Sequence, residues 1–239
     1  MAKNERTLWK RMLRLLFVKL PAAFFILTIL WVLLLKWCPV LVTPLMVKRA
    51  IEYRNDEDFH TYYTWRTLDR ISPEMPRAVI ASEDNLFDKH NGFDWKAIRQ
   101  AREEYESGER SYLRGASTIS QQTAKNVFLL PSRSWVRKGF EAYFTVLIES
   151  LWSKERIMEV YLNVIETGKG LYGVEAAARH HFESTADKLT RRQACLIAAI
   201  LPNPIQMNAG KPSNYVSSRA SKIQNLESKL EYPDWVSSK

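Results

Sequence analysis

Two short blocks of this sequence hold more reactive side chains than a packed core requires. The first, E83-D-N-L-F-D-K-H90, sets Glu83 and Asp84 after the apolar run A78-V-I-A81 and before Phe87 and His90. A carboxylate carried from such a run into a partly desolvated cleft is suited to acid/base work near neutral pH. The plain alternative is a pair of inert, salt-bridged acids at a helix C-terminus, although acids there oppose the macrodipole and usually need another reason to be present. The second block, R114-G-A-S-T-I-S-Q-Q-T-A-K-N126, begins 31 residues after Glu83. Read as a helix, it sets Thr118, Gln122, Lys125 and Asn126 at i, i+4, i+7 and i+8, with Ile119, Thr123 and Val127 on an adjacent face. Such a stripe is a solvated face or a ligand-binding one. The preceding Gly115-Ala116-Ser117 offers backbone N–H groups at a helix N-terminus, a place suited to an anion, and tilts the reading toward a ligand. Arg137 and Glu141, at i and i+4, fit an ordinary helix salt bridge as well as a site pair.

These groups need elements to hold them, and beyond about residue 48 the pattern is helical. Ser72 and Pro73 read as cap and first turn of a helix running toward Glu83. Asp94 caps a helix over 95–105 whose face is Trp95, Ile98, Arg102 and Tyr105. Ser134 caps a long helix through Trp152, with Val136, Phe140, Tyr143, Leu147 and Leu151 as its apolar stripe, and Ser153 caps the next. Thr190 and Gln193 form a capping box for a core helix over 191–201 that Pro202 ends. Gly108, Gly115, Gly168, Gly170 and Gly173 mark turns between elements.

At 239 residues the chain is long enough for one substantial domain. Its formal charge of +9 would suggest nucleic acid if it covered a folded face. Instead +6 of it lies in residues 1–36, where seven Lys and Arg face Glu5 alone, so no nucleic-acid partner is expected. The uncharged run Leu20 to Leu35 spans about 24 Å as a helix, and with Lys19 and Lys36 snorkelling it reaches across a hydrocarbon core of roughly 30 Å. No A-x-A-like cleavage site follows, which favours an uncleaved anchor over a signal peptide. Six basic residues precede it, placing the N-terminus in the cytoplasm and the remainder outside. The apolar W37-C-P-V-L-V-T-P-L-M-V47, broken by Pro39 and Pro44, is expected to rest on the bilayer surface without forming a continuous helix. Cys38 and Cys195 make neither a disulfide framework nor a zinc site.

Together with R137-K-G-F-E141, K154-x-x-I-x-x-V-Y-L-N163 and G168-x-x-x-x-G173-V-E-A-A-A, the two blocks resemble, in order, the five motifs of the peptidoglycan glycosyltransferases. The resemblance covers about residues 70–220 and is closest to the monofunctional Gram-negative branch; 239 residues leave no room for a transpeptidase domain. It implies a mainly α, lysozyme-like glycosyltransferase domain preceded by one N-terminal transmembrane helix. The expected organisation is a basic tail at 1–19, an anchor at 20–36, a membrane-proximal segment at 37–70, the catalytic domain at 71–225 and a tail at 226–239.

The resemblance further implies polymerisation of lipid II and the growing lipid-linked glycan chain at the bacterial inner membrane, with a periplasmic catalytic domain and cell-wall or division proteins as partners. Glu83 would be the general base on the acceptor 4-OH. Lys125, Arg133 and Arg137 would hold the donor pyrophosphate, and Glu141 would orient those cations or a metal. Thr118, Gln122 and Asn126 would place sugars and phosphate, with Asp84, Phe87, His90 and Ser117 completing the substrate-binding set. Asp84 and Glu141 could share a divalent cation, Mg2+ or Mn2+, with the pyrophosphate. Three positions depart from the usual motifs: Ala116 for a glycine, Phe140 for a basic residue and Gln193 for a glutamate. A lysozyme-like hydrolase would need no cluster of cations, and a non-catalytic scaffold would have no reason to keep Glu83, Lys125, Arg137 and Glu141 together.

Overall fold

The computed structural model describes Trp9 and residues 15–108 and 117–237, and the chain divides into two compact units, Met1–Cys38 and Pro39–Lys239. In the first, a π-helical stretch, Leu15–Lys19, runs into α1 (Leu20–Leu35). Together they make 21 residues, apolar enough and, at about 31 Å, long enough to cross a membrane. The Thr28 hydroxyl donates back to the Phe24 carbonyl at 2.8 Å, so the one hydroxyl of α1 is satisfied within its own helix.

The second unit is mainly helical. It opens with α2 (Pro44–Glu52), so that residues 37–47 form no continuous helix, as expected, while Pro44 itself starts a helix, because a first-turn position needs no N–H donor. Thr43 caps it, accepting from the Met46 N–H at 3.3 Å. α2 leaves Val47 and Ile51 exposed, just after exposed Leu41 and Val42.

Two groups of helices carry the remainder. α3 (Glu74–Glu83) packs on α9 (Arg191–Ile200) and α10 (Asn214–Glu227); α5 (Ile119–Phe128) packs on α6 (Trp135–Leu151) and α7 (Lys154–Val164). α4 (Trp95–Glu106) lies between α3 and α5 in sequence, and α8 (Gly173–Phe182) and the short α11 (Asp234–Ser237) complete the helices among the described residues. α9 is the core helix expected, with Ala194 through Ile200 all buried. A small sheet of β1 (Tyr62–Tyr63), β2 (Glu166–Gly168) and β3 (Leu171–Tyr172) has the order β1-β3-β2, with β1 parallel and β2 antiparallel to β3. Gly168 therefore ends a strand, while Gly170 and Gly173 turn the chain at positive φ. At Gly173 a Cβ would meet the Asn163 carbonyl oxygen at 2.4 Å.

The caps expected at Asp94, Ser134 and Ser153 and the box of Thr190 with Gln193 all form. Three local expectations change. Ser72 does not cap α3: its hydroxyl donates to the Leu189 carbonyl at 2.8 Å, tying α3 to the chain before α9. α4 turns Ala97, Ile98, Ala101 and Glu104 inward and leaves Trp95 and Tyr105 exposed. The inner face of α6 is Glu141, Phe144, Thr145 and Ile148, whereas Val136 is 71% exposed and Phe140 41%. Two polar residues belong to that inner face, so a reading by hydropathy is rotated away from it.

Candidate active site

The two helix groups meet where α3 ends and α5 begins. Thr118 caps α5 by accepting from the Gln121 N–H at 3.1 Å, and the Gln121 side chain accepts from the Thr118 N–H at 3.0 Å, a reciprocal box. The Thr118 hydroxyl also donates to the Gly92 carbonyl at 2.7 Å. Next in the helix, the Ile119 N–H donates to Asp84 Oδ2 at 3.0 Å. The buried side chain of Asp84 thus supplies a negative charge at this helix N-terminus. This also accounts for an acid at the C-terminal end of α3: Asp84 stabilises the start of α5. Arg114, Gly115 and Ala116 lie outside the described residues.

Asp84 is held from the other side by His90, whose Nε2 lies 2.9 Å from Oδ1, while His90 Nδ1 accepts from the Gly92 N–H at 3.1 Å. The first nitrogen therefore carries the proton given to Asp84. Phe87 is fully buried beneath the Lys154 ammonium, 4.6 Å from the ring centroid. Lys154 donates to the His90 carbonyl at 2.6 Å and to Glu149 at 2.8 Å, and Glu149 accepts from buried Ser120. Asp84, Phe87 and His90 thus form the support of the loop after α3, and Ser117 is the exposed member of the expected set beside it.

Glu83 reaches outward from that support. Its Oε2 accepts from Gln122 Nε2 at 3.0 Å and its Oε1 from the Ser82 hydroxyl at 3.0 Å, with an Arg219 guanidinium nitrogen 3.7 Å from Oε1. The amide of Gln122 is oriented in turn by the hydroxyl of fully buried Tyr161, which donates to Gln122 Oε1 at 3.3 Å. Burial, reinforced by the nearby negative charges of Glu83 and Asp84, pushes the Tyr161 phenol well above its ordinary value, so it stays a neutral donor. Glu83 opens on a cleft of about 510 Å³ that Ser117, Thr118, Lys96, Arg219 and Lys222 also line.

α5 carries a second set one turn further on. Lys125 and Asn126 line a separate cleft of about 540 Å³ with Arg133 and Arg137. Arg137 donates to Glu141 Oε2 at 2.5 Å, and the ammonium of Lys138 donates to Oε1. Glu141 is only 3% exposed, so it works as a buried brace between two cations. The ammonium of Lys125 makes no hydrogen bond or ion pair among the described residues. Burial pushes it below the ordinary lysine value; Glu141 pulls the other way, and Arg137 and Lys138 add to the fall. An unpaired, partly desolvated cation beside two others is poised for a polyanion.

Asp84 and Glu141 are the two carboxylates that a divalent cation would share with the pyrophosphate. The two side chains sit in different networks, Asp84 with Ile119 and His90 and Glu141 with Arg137 and Lys138. Among the described residues no group of three or more His, Cys, Asp and Glu is disposed to hold a metal.

Some participants escaped the reading of the sequence. Arg219 gave no local signal, being one basic residue on a solvated-looking helix. Lys138 carries no signal that sets it apart from its neighbours, although it occupies the same brace as Arg137. Lys48 of α2 and Glu166 of β2 line the second cleft, the latter gripped by Arg49 at 2.9 and 3.2 Å. Tyr161 lies inside a recognised block, yet its link to Gln122 needs α5 and α7 to be packed together. The other members of the later blocks form the frame: Asn163 bonds both the N–H and the carbonyl of Arg66 at 2.7 Å, and Glu175 takes the Arg66 guanidinium and the Ala186 N–H, each at 2.9 Å.

Comparison with known proteins gives this arrangement a context. Residues 51–227 match the family model described as Transglycosylase. The chain is 58% identical over 204 residues to a biosynthetic peptidoglycan transglycosylase of Bacteroides thetaiotaomicron, covering 85% of this chain and 82% of that protein. It is 50% identical over 223 residues to a protein of the same name in Caulobacter vibrioides, covering 93% of each. A third such protein, in Bdellovibrio bacteriovorus, is 51% identical over 221 residues, covering 92% of this chain and 87% of its own length.

Proposed function

The chain belongs to the transglycosylase family, and from this premise we propose that it is the membrane-anchored polymerase that joins lipid II into β-1,4-linked glycan strands. At the coarser level it is a peptidoglycan transglycosylase of cell-wall biosynthesis. The observation that carries the finer reading is the layout of α5. Through Gln122 the helix fixes a carboxylate at the edge of one cleft, and through Lys125 and Asn126 it lines the other, with Arg133 and Arg137.

The reaction follows from that layout. A carboxylate has about four lone-pair sites, so Glu83 keeps acceptor capacity toward the cleft after accepting from Gln122 and Ser82. It takes the proton of the acceptor GlcNAc 4-OH as that oxygen attacks C1 of the donor MurNAc. The C1–O bond to pyrophosphate breaks as the glycosidic bond forms, and configuration inverts from α to β. Negative charge grows on the departing undecaprenyl pyrophosphate, where Lys125, Arg133 and Arg137 receive it. Glu141 holds the Arg137 fork in place for this. A hydrolase would have no use for such a receptor, which favours the polymerase over a lytic enzyme. No step is routed through a divalent ion.

The anchor serves the same chemistry by keeping the domain beside a lipid-bound substrate. Following the distribution of basic residues, the N-terminus lies in the cytoplasm and the catalytic unit in the periplasm. The test is to incubate detergent-solubilised enzyme with lipid II and to treat the product with a muramidase. Polymer that the muramidase degrades is expected; the release of sugar fragments without polymer would favour hydrolysis.

A further inference from the structure

The base of this site has an unassigned neighbour. Arg219, on α10, reaches across to the end of α3, where its terminal nitrogen donates to the Ser82 hydroxyl oxygen at 3.2 Å. That hydroxyl donates to Glu83 Oε1 at 3.0 Å, and the guanidinium nitrogen is itself 3.7 Å from the same oxygen. The three groups form a triangle around one carboxylate oxygen, while Gln122, braced by Tyr161, holds the other. The distance of 3.7 Å is too long for a hydrogen bond, so the direct term between Arg219 and Glu83 is Coulombic, and the directional term passes through Ser82.

Stability alone is a poor reason for this arrangement. Arg219 Nε is buried and has no hydrogen-bond partner among the described residues, so the side chain is not fully satisfied by the fold. The side chain is 29% exposed and lines the cleft of Glu83. Its hydrogen bond to Ser82 and its Coulombic contact with Glu83 both lie at the base.

We propose that Arg219 is a positioning residue for Glu83, fixing Oε1 through Ser82 so that the carboxylate is presented to the acceptor hydroxyl in a single orientation. This rests on the reading of Glu83 as the base of the polymerase. The guanidinium does not exchange the reacting proton: Glu83 takes it, and Arg219 sets where Glu83 stands when it does. α10 is thereby part of the active site as well as part of the core.

The test uses the full chain in detergent with lipid II, measuring kcat and KM for wild type, R219A, R219K and S82A, with thermal unfolding of each. R219A is expected to lose about a hundredfold in kcat, as for a misplaced reacting group, with KM little changed. R219K and S82A should lose less, since each keeps one of the two terms. Added guanidinium ion should restore part of the R219A rate in a saturable way without restoring wild type any further. A loss confined to KM, or an R219A defect that guanidinium leaves unmoved while R219K behaves as wild type, would overturn the proposal. If R219A fails to fold, R219K with an unchanged unfolding temperature and full kcat would equally overturn it. Wild type that makes no polymer would instead reject the substrate reading beneath it.

Discussion

Replacing Lys125 by methionine should make the protein more stable and the enzyme nearly inactive. The Lys125 ammonium is partly buried, pairs with no group among the described residues and faces the like charges of Arg137 and Lys138. Methionine keeps most of the apolar stem against α5's neighbours and removes the desolvated charge. Substitutions of this kind are worth about 1–2 kcal/mol of added stability. For a domain of this size that corresponds to a rise of roughly 2–8 °C in Tm. The pH dependence carries a sign. Because burial holds Lys125 below its ordinary value, the folded state binds fewer protons there than the unfolded one. The wild type therefore bears the full penalty below the folded value and sheds it as pH rises toward the ordinary lysine value. The advantage of the variant should be largest near neutrality and shrink in alkali. Scanning calorimetry at pH 7 and in alkali, with titration by a non-reactive lipid pyrophosphate, reads both effects. A lower Tm, a gain that does not change with pH, or unchanged affinity for the pyrophosphate would refute the reasoning.

Asp84→Asn removes the charge at the start of α5 and weakens the bond to His90, so it should cost about 1–2 kcal/mol, read as a lower Tm. Lost polymerisation at unchanged Tm would instead place Asp84 on the substrate. Deleting Met1–Cys38 should leave Pro39–Lys239 folded, since that unit has its own core, but should reduce activity more on lipid II in liposomes than in micelles. Equal losses in both would show the anchor to be part of the catalytic fold. A reporter active only outside the cytoplasm, fused after Lys239, should be active; silence with good expression would reverse the orientation.

Local chemistry that acts within one turn was legible in the sequence. Ser134, Ser153, Asp94 and the Thr190–Gln193 box announce helix starts because a cap needs only its own first turn. The polar stripe of α5 is legible too, since Gln122 bonds Glu83 at the edge of the first cleft and Lys125 and Asn126 line the second. What failed depended on other elements. The expectation that Gly115-Ala116-Ser117 offers N–H groups to an anion falls on residues 115 and 116, outside the described residues, but the partner of the nearby Ile119 N–H is Asp84, 35 residues upstream, and no local signal reveals that return. The stripe of α6 came out rotated because Glu141 and Thr145, polar by type, are inside for the sake of Arg137, Lys138 and the approach of Gly92. Arg219 was invisible for the same reason: nothing on α10 reveals that it meets α3 beside Glu83.

The account depends most on Glu83 taking a proton from a sugar hydroxyl. Glu83→Gln tests this directly, because the amide keeps the shape and can still bond Ser82 or Gln122 but cannot accept the proton. Lipid II binding should remain near wild type, and kcat for polymerisation should fall by at least about a hundredfold, the contribution expected of a general base. Polymerisation within tenfold of wild type, at equal binding, would contradict the account and remove Glu83 from that role.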